Sequence, residues 1–323
     1  MRLHKDADTF IALLRLINQS TDIRLDVLEK DYYVTLILKE LANWQDSLPA
    51  YFKGGTALYK ALDSVRRFSE DIDLTVCIDD CSNSQAKRRL ERAASGYQSL
   101  PRTTQKRLES NQRGSITSLY DYKSVFGIAI PDRLQRFGHV KVEATSFTVS
   151  EPFAPLTIMP LLYDKATEEQ KEVLQDQFDV TPFSVNTICL ERIFVDKVFA
   201  SEFYYQRKDY FDVSKHIYDL SVMADMKEIK TLLARPKDLT AMMAYKRREE
   251  KVRIGSDLAE KPISDFEIFR EMYENRILRE EFASMQNIYV FNEADRLDFD
   301  TITEVLSAIK VDLLNERPGM TDL

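Results

Sequence analysis

Cysteine, tryptophan and long apolar runs are scarce in this chain of 323 residues, which has three cysteines and one tryptophan. An odd cysteine count without a secretory signal gives no support for a disulfide framework, and no histidine or third cysteine near Cys77 and Cys81 completes a metal site. No run of about 18 apolar residues occurs, so we expect no transmembrane helix. The N-terminal residues lack the apolar core and cleavage site of a signal peptide, which favours a cytoplasmic protein.

Positive charge is also in deficit, since the formal net charge is −8. This balance argues against a protein that coats nucleic acid regardless of sequence, because such binding depends on neutralising phosphates. Basic clusters nevertheless occur at 87–89, 102–107 and 246–248. Such clusters are usually solvated helix faces, but they leave room for a local contact with RNA or a nucleotide.

Apolar periodicity predicts an α+β fold with a small mixed sheet, flanking helices and a helical C-terminal lobe. Residues 7–46 predict two helices broken near 20–22, and 57–65 predict a third. The middle of the chain predicts a strand, a charged helix, two strands and a proline-rich connection, at 71–78, 82–112, 117–130, 138–149 and 151–160. The pattern is helical after about 185, and we expect domains at 1–165 and 166–323.

Two aspartates, Asp71 and Asp73, stand two residues apart in an apolar run that is predicted to be a strand. The strand period of two places both carboxylates on one face. Adjacent carboxylates repel each other, and in an apolar setting they usually share a cation, most often Mg²⁺ with its phosphate. The alternative is an edge strand with exposed acids.

A glycine pair precedes these aspartates. Gly54 and Gly55 open a helical segment and let the backbone pass close to a ligand, although glycine pairs are also common in ordinary turns. Thr56 can cap the helix or bind a phosphate. Ser69 and Arg66 lie just before the acidic pair, where the arginine could contact phosphate oxygens or a neighbouring glutamate.

The order GG-T-A-L, about a dozen residues, then R-F-S-E-D-I-D-L resembles the opening motif of the DNA polymerase β-like nucleotidyltransferases. More narrowly, it resembles the AbiEii/AbiGii toxin family. The resemblance implies a nucleotidyltransferase fold in which Asp71 and Asp73 hold Mg²⁺ and a nucleoside triphosphate. The superfamily usually has serine as the second residue of the turn. Gly55 stands there in this chain, so Thr56 would supply any hydroxyl contact.

The superfamily generally adds a third carboxylate on a later strand, and Glu143 is the candidate here. Alternation in VKVEATSFTV places it on one face with Lys141 and Thr145. A general base or third metal ligand must lie near the first two carboxylates. The alternative is a solvent-facing glutamate on an edge strand. Asp121 and Asp132 are weaker candidates because each lies near turn residues.

The AbiEii resemblance also implies a helical lysine and an aspartate about twenty residues later. Lys197 matches the lysine, and Asp219 in KHIYDL follows 22 residues later, with Asp209 as an alternative. Lys215 and His216 precede Asp219 by one helical turn, so both can reach it. A lysine beside a triphosphate offsets phosphate charge. The alternative for Lys197 is an ordinary helix-surface lysine.

The sequence and the resemblance together predict a Mg²⁺-dependent nucleotidyltransferase toxin of a toxin–antitoxin or phage-defence system. Nucleotides would pass from a nucleoside triphosphate to an RNA acceptor, with tRNA as the leading candidate, and a cognate antitoxin would be the partner. Glu143 or Asp219 would accept the proton of the attacking hydroxyl, and the helical lobe would contribute its lysine and acid to the cleft. The alternatives are transfer to a protein or small molecule, or a catalytically silent nucleotide-binding module.

Overall fold

A computed structural model describes residues 2–21, 23–62, 66–127, 137–146, 151–252 and 256–314. Asp132 and the ends of two predicted strands, at 128–130 and 147–149, lie outside these ranges. Tertiary contacts divide the chain into two compact units. Unit 1 comprises Met1–Ala61, Ser69–Ser146 and Phe153–Thr187, and unit 2 comprises Leu62–Phe68, Phe147–Pro152 and Ile188–Leu323. The division predicted at 165/166 stays a prediction.

Unit 1 is built on a mixed sheet flanked by helices. Its strands are β1 (Ala50–Lys53), β2 (Ile72–Val76), β3 (Ser110–Gln112), β4 (Ser115–Asp121), β5 (His139–Thr145), β6 (Phe153–Ile158) and β7 (Phe183–Ile188). Its helices are α1 (Ala7–Thr21), α2 (Leu25–Ala42), α3 (Gly54–Lys60), α4 (Asn83–Ser95), α5 (Leu161–Asp164) and α6 (Glu168–Phe178). The strand order is β3-β4-β5-β2-β1-β7-β6, so the strands of the acidic motifs lie in the middle.

Strand register aligns polar side chains across the centre of the sheet. β1 runs antiparallel to β2 and pairs Lys53 with Asp73, and β2 runs parallel to β5 and pairs Asp73 with Glu143. β4 runs antiparallel to β5 and pairs Thr117 with Glu143. Because paired residues of neighbouring strands share a face, these four residues form one row, called the carboxylate row below.

Helix α2 is the buried helix of this unit. Every residue from Val27 to Thr35 is buried, and nine consecutive helical positions cover all sides of a helix. The buried stretch includes the charged residues Glu29, Lys30 and Asp31. A helix that is buried all round must therefore pair these charges internally.

Two sequence predictions for unit 1 are wrong in detail. The helix predicted over 82–112 ends at Ser95, and the chain continues through irregular structure into β3. The connection predicted over 151–160 contains β6, although Pro155 lies within it. β6 is an edge strand, where a proline need not donate a ladder hydrogen bond.

Unit 2 is helical. Its helices are α7 (Leu190–Gln206), α8 (Tyr210–Met223), α9 (Lys227–Leu233), α10 (Pro236–Val252), α11 (Ile268–Glu271), α12 (Arg276–Tyr289) and α13 (Phe299–Leu314). Helix α8 packs against α7, α12 and α13, and Val213, Ile217 and Leu220 are fully buried in it. The predicted α+β class is therefore confirmed. Among the helices in the described ranges, none combines the length and apolar character required to cross a membrane.

Candidate active site

Gly54 lies directly against the carboxylate of Asp73 where β1 passes into α3. Its φ is +80°, and a Cβ atom built on it would lie 2.1 Å from Asp73 Oδ2 and 3.0 Å from Asp73 Cβ. A side chain at this position would therefore collide with the aspartate. The glycine was predicted to let the backbone approach a ligand, and here it lets the backbone approach a carboxylate.

The Asp73 carboxylate occupies a crowded acidic position. Burial, and then the charge of Glu143, raise the pKa of Asp73 to about 6, and Asp71 acts in the same direction. Lys141 and Lys53 oppose this shift without cancelling it. Both burial and the neighbouring carboxylates thus disfavour the ionised form of Asp73, and an added cation would stabilise that form.

Lys141 supplies one of these positive charges through an ion pair. Its Nζ lies 2.6 Å from Oδ2 of Asp71, which immediately precedes β2. The pairing of Ile72 with Val142 brings the two side chains together on adjacent strands. Burial lowers the pKa of Lys141, but the Asp71 charge and hydrogen bond outweigh burial, so the net shift is upward. The sequence predicted only that Lys141 shares a face with Glu143.

The carboxylates around Asp73 are donors that suit a hard divalent cation. In the portion of the chain that the structure describes, no group of three or more His, Cys, Asp or Glu side chains is arranged to hold a metal ion. Asp71, Asp73 and Glu143 nevertheless offer carboxylate oxygens, which Mg²⁺ prefers. After burial, the charges of Glu143 and Asp71 raise the pKa of Asp73, and such a cation would relieve that repulsion.

Two predicted phosphate contacts are hydrogen-bonded to each other. The buried Thr56 hydroxyl donates to Ser69 Oγ at 2.9 Å, so Thr56 helps to fix the position of the Ser69 hydroxyl. Ser69 is only partly buried and is the better placed of the two hydroxyls for a ligand. Gly55 is buried in the first turn of α3, and Arg66, in the range of unit 2, is exposed.

Asp219 anchors a buried ion cluster in unit 2. It accepts hydrogen bonds from Arg67 Nε and Nη2, both at 2.7 Å, and its Oδ2 lies 2.8 Å from Lys197 Nζ. Burial raises the pKa of Asp219, but Arg67 and then Lys197 outweigh burial, so its pKa is lowered. A carboxylate engaged in this way accepts a proton poorly, and its geometry suits orientation of Lys197 and Arg67 better than general base catalysis.

The other residues predicted around Asp219 have different partners. Lys215 pairs with Asp212 at 2.8 Å, so the expected contact from Lys215 to Asp219 is wrong. The His216 ring stacks on Tyr204 with ring centroids 5.3 Å apart. Asp209 caps the N-terminus of α8. The weaker candidate Asp121 ends β4, where it pairs with His139.

Comparison with known proteins decides the family. A family model described as nucleotidyl transferase AbiEii toxin, type IV toxin–antitoxin system, matches residues 36–305. The chain belongs to the AbiEii family. It is therefore a nucleotidyltransferase toxin of a type IV toxin–antitoxin system, and the predicted family and enzyme class are confirmed.

Two further comparisons add little to the AbiEii assignment. MenT4, a nucleotidyltransferase toxin from Mycobacterium tuberculosis H37Rv, is 16% identical, with a TM-score of 0.42 over 91% of this chain and 98% of that chain. A superposition this loose supports no inference about the AbiEii chain. A search of the curated proteins finds no match.

Sequence reasoning missed the buried charges of α2. Asp31 forms an ion pair with Lys60 at the end of α3 and accepts a hydrogen bond from the Leu161 amide at 2.9 Å. Both side chains of the ion pair are almost fully buried, so each depends on the other for compensation. This ion pair links α3, which begins at the glycine turn, to the buried helix α2.

Glu29 and Lys30 make comparable links. Lys30 donates to the carbonyl of His139, the first residue of β5. Glu29 accepts from the Ser124 hydroxyl and the Val125 amide, both at 2.7 Å. The three residues of α2 thereby support the elements that carry the glycine turn and Glu143. The signal was present in the sequence as three successive charges, LEKDYYV, inside an apolar helical stretch.

The basic clusters of this AbiEii chain are largely engaged within it. Lys246 is buried among acidic side chains, and Arg89 donates to the Cys77 carbonyl. Arg102 and Lys106 both pair with Glu109. These contacts reduce the positive charge that the clusters can offer to a nucleic acid.

Proposed function

We propose that this nucleotidyltransferase uses Mg²⁺, held by Asp71 and Asp73, to transfer a nucleotide from a nucleoside triphosphate to an RNA acceptor. The observation that carries the proposal is the carboxylate row, in which Asp73 lies in register with Glu143 and against Gly54. A cation at that point would stabilise the ionised carboxylates, and nucleotidyl transfer generally brings one with its nucleotide substrate. We therefore propose a cytoplasmic location, where nucleoside triphosphates and RNA are available.

The residues of the glycine turn, of the segment before the acidic pair and of the acidic strands have separate roles. When bound, Mg²⁺ neutralises charge on the phosphates during in-line transfer. Gly54 leaves the Asp73 carboxylate unobstructed, and Ser69, held by Thr56, contacts a phosphate oxygen. Arg66 is exposed and offers a further phosphate contact. Glu143 lies on the same face as Asp73 and accepts the proton of the attacking hydroxyl.

The ion cluster of unit 2 has a supporting part in this proposal. Lys197 donates to phosphate oxygens, and Asp219 orients its ammonium group together with Arg67. Asp219 already accepts three short contacts, so Glu143 rather than Asp219 accepts the proton of the attacking hydroxyl. Lys197 is largely buried, which limits the number of positions its ammonium can take.

The leading acceptor is the 3′ end of a tRNA, and a cognate antitoxin would counteract the modification. A protein or small-molecule acceptor is the second candidate, favoured by the net charge of −8 and by basic clusters that are engaged internally. Labelled nucleoside triphosphates incubated with total tRNA and cell extract would distinguish these acceptors. Label on tRNA supports the first candidate, and label on protein or small molecules supports the second.

Asp71→Asn tests the central claim. We expect it to lower label incorporation by at least about 10²-fold, since it removes the negative charge of one ligand of the cation that would neutralise the reacting phosphates. Its thermal stability should stay close to that of the wild type, because Asp71 is partly exposed. The control is Asp164→Asn, an exposed aspartate of the same unit that should keep full activity. Undiminished incorporation by Asp71→Asn would contradict the proposal, and absence of both incorporation and Mg²⁺-dependent triphosphate binding in the wild type would favour a silent module.

A further inference from the structure

We propose that Lys141 holds the Asp71 carboxylate in the metal-free protein and competes with the divalent cation for it. The inference rests on the proposed function, since the cation is the one assigned above to Asp71 and Asp73. The ion pair of Lys141 with Asp71 occupies one of the two carboxylates that this cation needs. Lys141 is thus a positioning residue that acts through Asp71.

The contact is close and accessible. Lys141 Nζ lies 2.6 Å from Asp71 Oδ2, and the two side chains are 35% and 40% exposed. Lys141 lies on β5 and Asp71 immediately precedes β2, and both strands are at the centre of the sheet. The backbone therefore fixes the position from which each side chain extends. A cation from solvent can therefore reach the pair, while the pair itself stays in one place.

An ammonium group and a divalent cation compensate the negative charge of Asp71 differently. Lys141 offers a single positive charge and a hydrogen bond to one carboxylate, whereas Mg²⁺ or Mn²⁺ gathers several oxygens. A cation shared by Asp71 and Asp73 would stand beside the Lys141 ammonium, and the two positive charges would repel each other. Binding of the cation therefore requires Lys141 to leave Asp71.

The displaced ammonium explains why metal and nucleotide should bind together. Lys141 lies on the face of β5 that also carries Glu143. Once it leaves Asp71, a triphosphate is an anion that can compensate its charge. Bare metal ions should accordingly bind weakly, and a metal–nucleotide complex should bind more tightly.

The test measures Mn²⁺ binding by calorimetry in the absence of nucleotide. Lys141→Met should bind Mn²⁺ about tenfold more tightly than the wild type, because one repelling charge is gone. Lys141→Arg keeps the charge and should keep the weak affinity. The matched control is Lys165→Met, because Lys165 pairs with Asp164 at 2.8 Å and the two side chains are 41% and 43% exposed. It makes the same change of net charge and should leave the affinity unchanged.

A second readout guards against a folding defect. The rise in melting temperature on adding Mn²⁺ should be larger for Lys141→Met than for the wild type, because ligand affinity adds to the stability of the folded state. If Lys141→Met fails to fold, Lys141→Gln replaces it in both measurements. Equal or weaker Mn²⁺ binding by the neutral variant would overturn the inference. An equal gain in Lys165→Met would also overturn it, because net charge alone would then be responsible.

Label incorporation by the wild type and by Asp71→Asn separates this inference from the proposed function. If Lys141→Met gains Mn²⁺ affinity and the wild type incorporates no label, the competition stands and the proposed function fails. If incorporation depends on Asp71 and Lys141→Met shows no gain, the proposed function stands and the competition fails.

Discussion

The two ion clusters of this toxin differ in how completely the charge of the central carboxylate is compensated. Around Asp73 the carboxylates outnumber their partners, and the pKa of Asp73 rises to about 6 through burial and the Glu143 charge. Around Asp219 two cations meet one carboxylate, and its pKa is lowered because Arg67 and Lys197 outweigh burial. The compensated cluster fixes side-chain positions before any ligand arrives. The uncompensated one marks where a ligand must complete the charge balance.

Removing Asp219 is the largest disturbance that this comparison predicts. Asp219→Ala would leave Arg67 and Lys197 together in a buried position without their carboxylate, and the free energy of unfolding should fall by about 3–5 kcal/mol. Urea unfolding measures the loss. The control, Asp212→Ala, removes a partly exposed partner of Lys215 on the same helix and should cost less than about 1 kcal/mol. Equal losses in the two variants would show that the Asp219 cluster is not a buried, compensated unit.

Gly54→Ala should have the next largest effect. Its Cβ would collide with Asp73 Oδ2, and an alanine at a φ of +80° is strained, so we expect a loss of about 1–3 kcal/mol in stability together with lower transfer activity. Gly138→Ala is the matched control, since its φ is +84° and, within the described ranges and apart from its chain neighbours, no residue has an atom within 4 Å of the added Cβ. It should share the strain and keep the activity. If both variants lose activity equally, displacement of Asp73 is not the cause.

The smallest predicted effect is a gain in stability from Asp73→Asn. A folded-state pKa of about 6, above the usual value of 3.8, means that the folded protein favours the protonated form of Asp73 more than the unfolded chain does. That contribution is complete below about pH 4 and is lost as the pH rises through about 6. In EDTA at pH 7.5, Asp73→Asn should be more stable than the wild type by about 1–2 kcal/mol, after allowance for partial exposure.

Urea unfolding at two pH values checks this sign. The advantage of Asp73→Asn over the wild type should be clearly smaller at pH 4.5, because the wild-type carboxyl is then mostly protonated in the folded protein. An advantage of the same size at pH 4.5 and pH 7.5 would show that ionisation of Asp73 is not its source.

Local sequence patterns predicted much of the sheet and less of the charge pairing. The period of two placed Lys141 and Glu143 on one face, and the structure has both there. The Lys141 contact with Asp71 depends on β2 and β5 being neighbours, and no local period contains that information. The same holds for Arg67 and Asp219, which are separated by 152 residues.

Apolar periodicity failed to predict β6 and the buried charges of α2, because it reports only the average environment of an element. Pro155 made residues 151–160 resemble a connection, and only the edge position of β6 makes a strand compatible with it. For α2, the apolar pattern predicts an ordinary amphipathic helix, in which charged residues lie on the side that faces water. Their burial became visible only with the elements that surround them.

The three charges of α2 also bear on how unit 1 reaches one fold among many. Each charge finds its partner in a different part of the chain, at Lys60 and Leu161, at His139, and at Ser124 and Val125. A compact arrangement with another strand order would bury at least one of these ions without its partner, which costs several kcal/mol. Hydrophobic patterning alone tolerates such arrangements. The helix thereby widens the energy gap between the native topology and its competitors, and a charge-neutral version of α2 would narrow it.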